Sequence, residues 1–287
     1  MSTTHGSCLC GGVAWEATGP LEFMSHCHCS RCRKTHGAAF ATFVMAQADA
    51  FRLSRGRELI VRYESSPGLF RPFCGRCGST VPDGAPWRGL VGIPAGPCDD
   101  DPGTRPLAHI FVASKAAWFE IRGELPSFDA YPPGVDAPVL ADPPPAERAS
   151  GALRGSCLCG GIAYAIEGPL LRCWNCHCSR CRKARAAAHA SNLFVKDDDL
   201  RFRRGAELLA MYKLPDARYF TQVFCRACGS PMPRIDRERG LAIVPMGSLD
   251  DDPGIRPQRH IFVASKAPWY EIPDDLPQDA EYPPPVG

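Results

Sequence analysis

Sixteen cysteines in a chain of 287 residues constrain the fold more than any other feature, because fourteen of them form one pattern written twice. Cys8 and Cys10, then Cys27, Cys29 and Cys32, then Cys74 and Cys77 recur as Cys157 and Cys159, then Cys176, Cys178 and Cys181, then Cys225 and Cys228. The other two, Cys98 and Cys173, face Leu249 and Met24 in the opposite copy and cannot belong to a shared site. An even count would suit a disulfide scaffold, but tight CxC and CxxC pairs are the spacing of metal ligands. The opening MSTTHGSCLC has neither a basic nor an apolar leader segment, and no window approaches the roughly 18 uninterrupted apolar residues of a membrane helix. A cytoplasmic, reducing location with no membrane partner is expected, and it favours metal over disulfides.

The duplication extends well beyond the cysteines. GSCLCGGVAWEATGPL at 6–21 returns as GSCLCGGIAYAIEGPL at 155–170, and HIFVASKAAWFEI at 109–121 returns as HIFVASKAPWYEI at 260–272. The second copy has gained two residues between its CxCxxC cluster and its later CxxC. A period this long is a duplicated domain and not a solenoid repeat. We place a first domain at 1–131, a Pro/Ala-rich linker at 132–152 and a second domain at 153–287. GVAWEATG and AFRLSRG alternate like half-buried strands, LIVRYE and HIFVAS are short β-branched or aromatic runs, and DDDPG is turn chemistry. The one helical stretch lies around SRCRKTHGAAF, where Ser30 is the expected cap. With 27 glycines and 29 prolines in support, the expectation is mainly β: two tandem antiparallel β domains stapled by metal.

Two cysteine knuckles from distant parts of a chain make a tetrahedral four-cysteine zinc site, filled and therefore structural. Cys8, Cys10, Cys74 and Cys77 have this pattern, as do Cys157, Cys159, Cys225 and Cys228. That leaves Cys27, Cys29 and Cys32, and their counterparts Cys176, Cys178 and Cys181, one ligand short. Only two histidine positions recur: His28 with His177, inside the cluster, and His109 with His260, at the head of an apolar run. On an extended CxC the side chain of His28 projects away from the metal. Either His109 closes the site or a coordination position stays open. An open position on three thiolates suits an incoming thiol, which would be held as thiolate, able to attack a small carbonyl carbon or to leave again. Arg31, Arg33 and Lys34, with Arg180, Arg182 and Lys183, are candidates to receive the carboxylates of a peptidic thiol, or else a solvated helix face. Trp118, Phe119, Trp269 and Tyr270 are either core or a pocket wall, and the aspartates at 99–101 and 250–252 are turns.

GSCLCGGV, CHCSRCRK, SSPGLFRPFCGRCGS and HIFVASKAAWFEI, in that order, resemble the glutathione-dependent formaldehyde-activating enzyme family, also called Gfa-like or centromere protein V-like. The resemblance covers nearly all of both copies. It implies a β-rich, zinc-stapled fold, with structural zinc on the four-cysteine sets and catalytic zinc on the three-cysteine sets. Each domain would then hold two zinc ions, four in the chain, with glutathione or a similar thiol as cosubstrate. The implied activity is a carbon-sulfur lyase that forms or cleaves the adduct of that thiol with a small electrophile such as formaldehyde. The alternative is a non-catalytic zinc-stapled binding module for a protein or thiol metabolite. The walls beside identical ligands differ, FMSHCHC against RCWNCHC, so the halves are expected to differ in substrate or activity. A formal net charge of +2 argues against a nucleic-acid partner, which would need a basic footprint.

Overall fold

The computed structural model describes residues 2–141 and 151–283. Of the expected linker, residues 132–141 carry no strand or helix and are largely exposed, while 142–150 lie outside the described residues.

The first half contains β1 (Thr3–Ser7), β2 (Ala14–Thr18), β3 (Glu22–Cys27), α1 (Ser30–His36), β4 (Ala41–Gln47), β5 (Phe51–Arg55), β6 (Ile60–Ser66), β7 (Leu69–Cys74), β8 (Leu90–Pro94), β9 (His109–Ile110) and β10 (Ser127–Phe128). The second contains β11 (Leu153–Ser156), β12 (Ala163–Ile166), β13 (Arg172–Cys176), α2 (Ser179–Arg185), β14 (Ala190–Lys196), β15 (Leu200–Arg204), β16 (Leu209–Lys213), β17 (Thr221–Cys225), β18 (Arg234–Asp236), β19 (Leu241–Pro245) and β20 (His260–Ile261). Each half is mainly β: a three-stranded sheet (β1-β2-β5 or β11-β12-β15), a hairpin (β6-β7 or β16-β17) and a five-stranded sheet. The five-stranded orders are β10-β9-β3-β4-β8 and β18-β19-β14-β13-β20. Pairing is antiparallel except where β9 and β20 run parallel to β3 and β13, and β10 runs parallel to β9.

Local chemistry accounts for the strand positions. In β2 the residues Ala14, Trp15 and Ala17 are buried, and the Trp15 indole lies across Gly6 of β1, where a Cβ would overlap the ring. Tyr164 and Gly155 repeat the arrangement in the second half. The HIFVAS run does not continue as a strand. It stops at Ile110, because Phe111 turns into the left-handed region at φ 58°, and a short 3-10 turn follows at Val112–Ser114. Phe262 does the same at φ 59°.

The expected helix is present but is capped one residue earlier than its composition suggests. Cys29 is the N-cap of α1, its Sγ accepting from the Cys32 amide at 3.3 Å, and Gly37 ends the helix in the left-handed region. Cys178 caps α2 in the same way at 3.4 Å. A cysteine sulfur satisfies the orphan amide that a serine hydroxyl would otherwise take.

The halves pack face to face with reciprocal contacts, and one continuous buried cluster includes Trp15, Met24 and Val44 with Tyr164, Leu193 and Trp269. Lys34 of α1 reaches Asp250 at 2.6 Å and Ser156 at 3.0 Å, while Lys183 of α2 reaches Asp99 and, at 2.7 Å, Ser7. These are equivalent residues exchanged across an approximate two-fold axis. The rings of Phe73 and Phe224 meet at the axis, 6.4 Å apart. Gly96 and Gly247 complete the pattern, since a Cβ on either would overlap the backbone at Ala187 or Ala38 of the opposite half. No helix of the described residues is long and apolar enough to cross a membrane.

Candidate metal centres

Each four-cysteine group joins the loop between the first two strands of its half to the hairpin. Cys8 and Cys10 follow β1, Cys74 ends β7, and Cys77 lies in the turn beyond it. The four sulfurs lie within 4.8 Å of one another, with Cys8 to Cys10 at 3.4 Å and Cys10 to Cys74 at 3.8 Å. In the second half Cys157 to Cys159 is 3.3 Å and Cys159 to Cys225 is 3.8 Å. A tetrahedral ion with bonds of about 2.3 Å to sulfur needs sulfur separations of about 3.8 Å, so the donors fit zinc. Hydrogen bonds from Cys74, Cys77 and Cys8 hold the Cys10 thiol far below its ordinary value. Those from Cys157 and Cys225 bring Cys159 down to about 7. Backbone amides also reach the sulfurs, Val13 N donating to Cys8 and Ile162 N to Cys157, each at 3.2 Å.

Sequence reading missed a serine in each centre. Ser79 Oγ accepts the Leu9 amide at 3.1 Å and lies 3.4 Å from Cys77 Sγ, tying the two knuckles together. Ser230 does the same between Leu158 and Cys228. The recurring CGS that closes both hairpins was the available signal.

The three-cysteine groups sit where the central sheet gives way to the helix. Cys27 ends β3, Cys29 caps α1 and Cys32 lies in its first turn, and their sulfurs lie within 4.8 Å of one another. Cys176, Cys178 and Cys181 repeat this, with Cys176 to Cys178 at 3.6 Å. Among the described residues, no histidine nitrogen or carboxylate oxygen joins either group as a fourth donor. The recurring histidines bond to each other in the core: His28 Nε2 lies 2.9 Å from His109 Nδ1, and His177 Nε2 lies 2.7 Å from His260 Nδ1. Burial holds His28 down to about 3 and also lowers His109 and His260, which keeps all three neutral.

One thiol in each group is favoured as thiolate. Bonds from Cys27 and Cys29 lower Cys32, assisted by Arg71, whose Nη1 donates to its sulfur at 3.6 Å. Bonds from Cys176 and Cys181 bring Cys178 down to about 3. Arg71 has no arginine counterpart, since Gln222 occupies its place on β17. The second site draws its cation instead from buried Arg185 at the end of α2, where the first half has His36. Burial pushes Arg185 down to about 10, opposed by the charges of Cys181 and Cys176. Because the two arginines occupy non-equivalent positions, comparing the copies conceals them.

The walls also include residues that sequence reading did not single out. Phe111 packs on the first triad with Phe43 and Ile110, and Tyr131 stacks edge-on to Phe111 at 4.8 Å. Phe262 and Tyr282 repeat the pair at 4.7 Å. The recurring YPP that contains both tyrosines was the signal. Of the basic residues expected at the site, Lys34 and Lys183 are instead committed across the interface, because their helix face is covered by the other half. Arg33 donates to Ser114 O, Arg182 to Gly96 O and Arg31 to Ala141 O, whereas Arg180 lines the cavity above the second triad. Trp118, Trp269 and Tyr270 are buried core residues. Cys98 and Cys173 are buried apart from every cluster, and burial pushes the Cys98 thiol up to about 12.

Two copies of a β domain, each with four- and three-thiol centres that could hold metal, define the class of this molecule. The family model described as glutathione-dependent formaldehyde-activating enzyme matches residues 3–114 and 152–265, and the chain belongs to that family. No curated protein matches the chain. Among solved structures, it is similar to a Rhodobacter sphaeroides protein determined as a structural genomics target. The two share 29% identity over 37% of this chain and 92% of that one, with a TM-score of 0.30.

Proposed function

We propose that this chain is a zinc-dependent carbon-sulfur lyase that forms or cleaves the adduct of a thiol such as glutathione with a small carbonyl such as formaldehyde. The observation that carries the proposal is the pair of three-cysteine groups, each with no fourth donor among the described residues, beside complete four-cysteine groups. A zinc ion on three thiolates would retain Lewis acidity for one more soft donor and hold an incoming thiol as thiolate at neutral pH. The thiol would give up its proton on binding, its sulfur would add to the carbonyl carbon as the carbon-oxygen π bond opens, and the oxygen would take that proton back; cleavage would be the reverse.

The chain's own residues prepare the site. Cys29 and Cys178 are fixed by their capping bonds, so two of the three sulfurs in each half move with the helix. Arg71 and Arg185 each place one positive charge beside three sulfurs, which offsets the net charge of about −1 that three thiolates leave on a divalent ion. Phe111 with Tyr131, and Phe262 with Tyr282, wall the approach. Arg180, on the cavity above the second triad, is positioned for a carboxylate of the thiol.

Metal analysis of the purified chain with adduct formation from glutathione and formaldehyde tests this reading. Four zinc ions are expected, with Cys29→Ser and Cys178→Ser each losing activity and one metal while the fold survives. Cys8→Ser and Cys157→Ser should unfold their halves. Two zinc ions per chain and no response of the metal to thiol would make the protein a stapled binding module.

A further inference from the structure

A cavity of about 490 Å³ opens above Cys176, Cys178 and Cys181, between β13, β14, β18 and the β16-β17 hairpin. Arg172, Arg180, Arg218, Arg234 and Arg239 line it, with Glu281 as the one acidic lining residue among the described residues. The arginines are braced on aromatic faces. Arg172 lies 4.9 Å from the Trp174 ring and 4.7 Å from that of Phe194, while Arg218 and Arg239 lie 4.8 and 5.0 Å from the Tyr219 ring.

This positive charge is only partly answered within the protein. Asp236 takes Arg234 at 3.3 Å and Arg239 at 3.8 Å, leaving more cations than anions around the cavity. Burial lowers Arg172 and Arg234 from the usual guanidinium range, and their proximity to Arg239 lowers them further. Arg172 Nε and Asn192 Oδ1, both on the cavity wall, are buried with no hydrogen-bond partner among the described residues. Like charges gathered beside unpaired polar groups are costly unless an anion completes the set.

The equivalent surface of the first half is built differently. Phe23 replaces Arg172 and is turned out to solvent at a β-bulge, while Ser25 replaces Trp174. Asp83 replaces Arg234 and is held by Arg62 at 2.7 Å, and Arg88, the counterpart of Arg239, donates to Asp136 O. The hairpin turn that carries Arg218 and Tyr219 is two residues longer than its first-half counterpart.

We propose that the cavity of the second half receives a substrate bearing at least two anionic groups, carboxylate or phosphate, and that the first half has no such requirement. The proposal takes from the preceding section only that substrate approaches the triad through this cavity. Two anionic groups separate over Arg172 and Arg239 while the rest of the molecule extends toward the cysteines. The two sites of the chain therefore differ in substrate charge although their ligands are identical.

Calorimetric titration of the metal-loaded full chain with glutarate, propane-1,3-diyl bisphosphate and uncharged glutaramide tests this without any turnover. One saturable site is expected for an anion, at least tenfold tighter than any binding of glutaramide and weakened by salt. The tighter of glutarate and the bisphosphate identifies the anionic group. Arg172→Gln and Arg239→Gln should each weaken that binding at least tenfold, whereas Arg203→Gln, on the outer surface, should not. Arg239 is exposed, so its variant is expected to fold even if Arg172→Gln does not. Glutaramide binding as tightly as both anions, or Arg239→Gln binding them as the parent does, would overturn the proposal. Anion binding that persists in a chain with no lyase activity would overturn the preceding reading alone.

Discussion

At the residue scale each three-cysteine group has an arginine's positive charge beside its sulfurs. Arg71 is expected to support the thiolate of Cys32, so Arg71→Gln should weaken metal retention at the first three-cysteine site by roughly 10-fold, measured by chelator competition. Arg185→Gln should do the same at the second site only. All fourteen clustered cysteines were legible in the sequence, because thiolate spacing is local and appears twice. The two arginines were not, since each arrives from a different element and only the folded chain brings it to sulfur. Tyr131 and Tyr282 were visible as a repeated YPP, but proline-rich surroundings made that segment look like the start of a linker.

At the scale of elements, the helices serve two purposes. Their first turns carry cysteines and their last turns carry the lysines of the interface. The Lys34–Asp250 pair is well shielded, with side chains 14% and 15% exposed, whereas Lys183–Asp99 stands at 21% and 40%. Breaking the shielded pair with Lys34→Met should cost about 3 kcal/mol, and Lys183→Met about 1 kcal/mol, in reversible urea unfolding of the metal-loaded protein. Gly96→Ala and Gly247→Ala push a methyl into opposing backbone and should each destabilise by roughly 1–3 kcal/mol. Strand identities were read correctly from alternation and β-branching, but HIFVAS was not, because its pattern gives no hint of a left-handed Phe111. The RK repeats read as carboxylate contacts for a thiol or a solvated helix face, and the DDDPG repeats as turns. Only their meeting across the two-fold axis shows them as one interface.

At the scale of the whole molecule, the space between the halves is lined with neutral histidine. His26, His28, His109, His177, His189 and His260 are all buried, and burial holds His189 down to about 3. In the unfolded chain each would take up a proton near pH 6.5, whereas in the folded chain burial defers that to lower pH. The unfolded state therefore binds more protons as pH falls below 6.5, and stability should decline from there. The melting temperature at pH 5 should fall below that at pH 7.5. Both ring nitrogens of His189 lack hydrogen-bond partners among the described residues, and Phe40 stands at the equivalent place in the first half. His189→Phe should raise the melting temperature and reduce its pH dependence.

The reciprocal packing of the halves means that the peptide connection is not what keeps them together. Lysine pairs, backbone-to-backbone glycine contacts and a shared apolar interior hold one half against the other. Two separately expressed fragments, divided within 142–150, should therefore find each other and assemble. That makes this chain a natural starting point for a split reporter, because each fragment carries its own two cysteine clusters and only the interface has to be rebuilt on reunion.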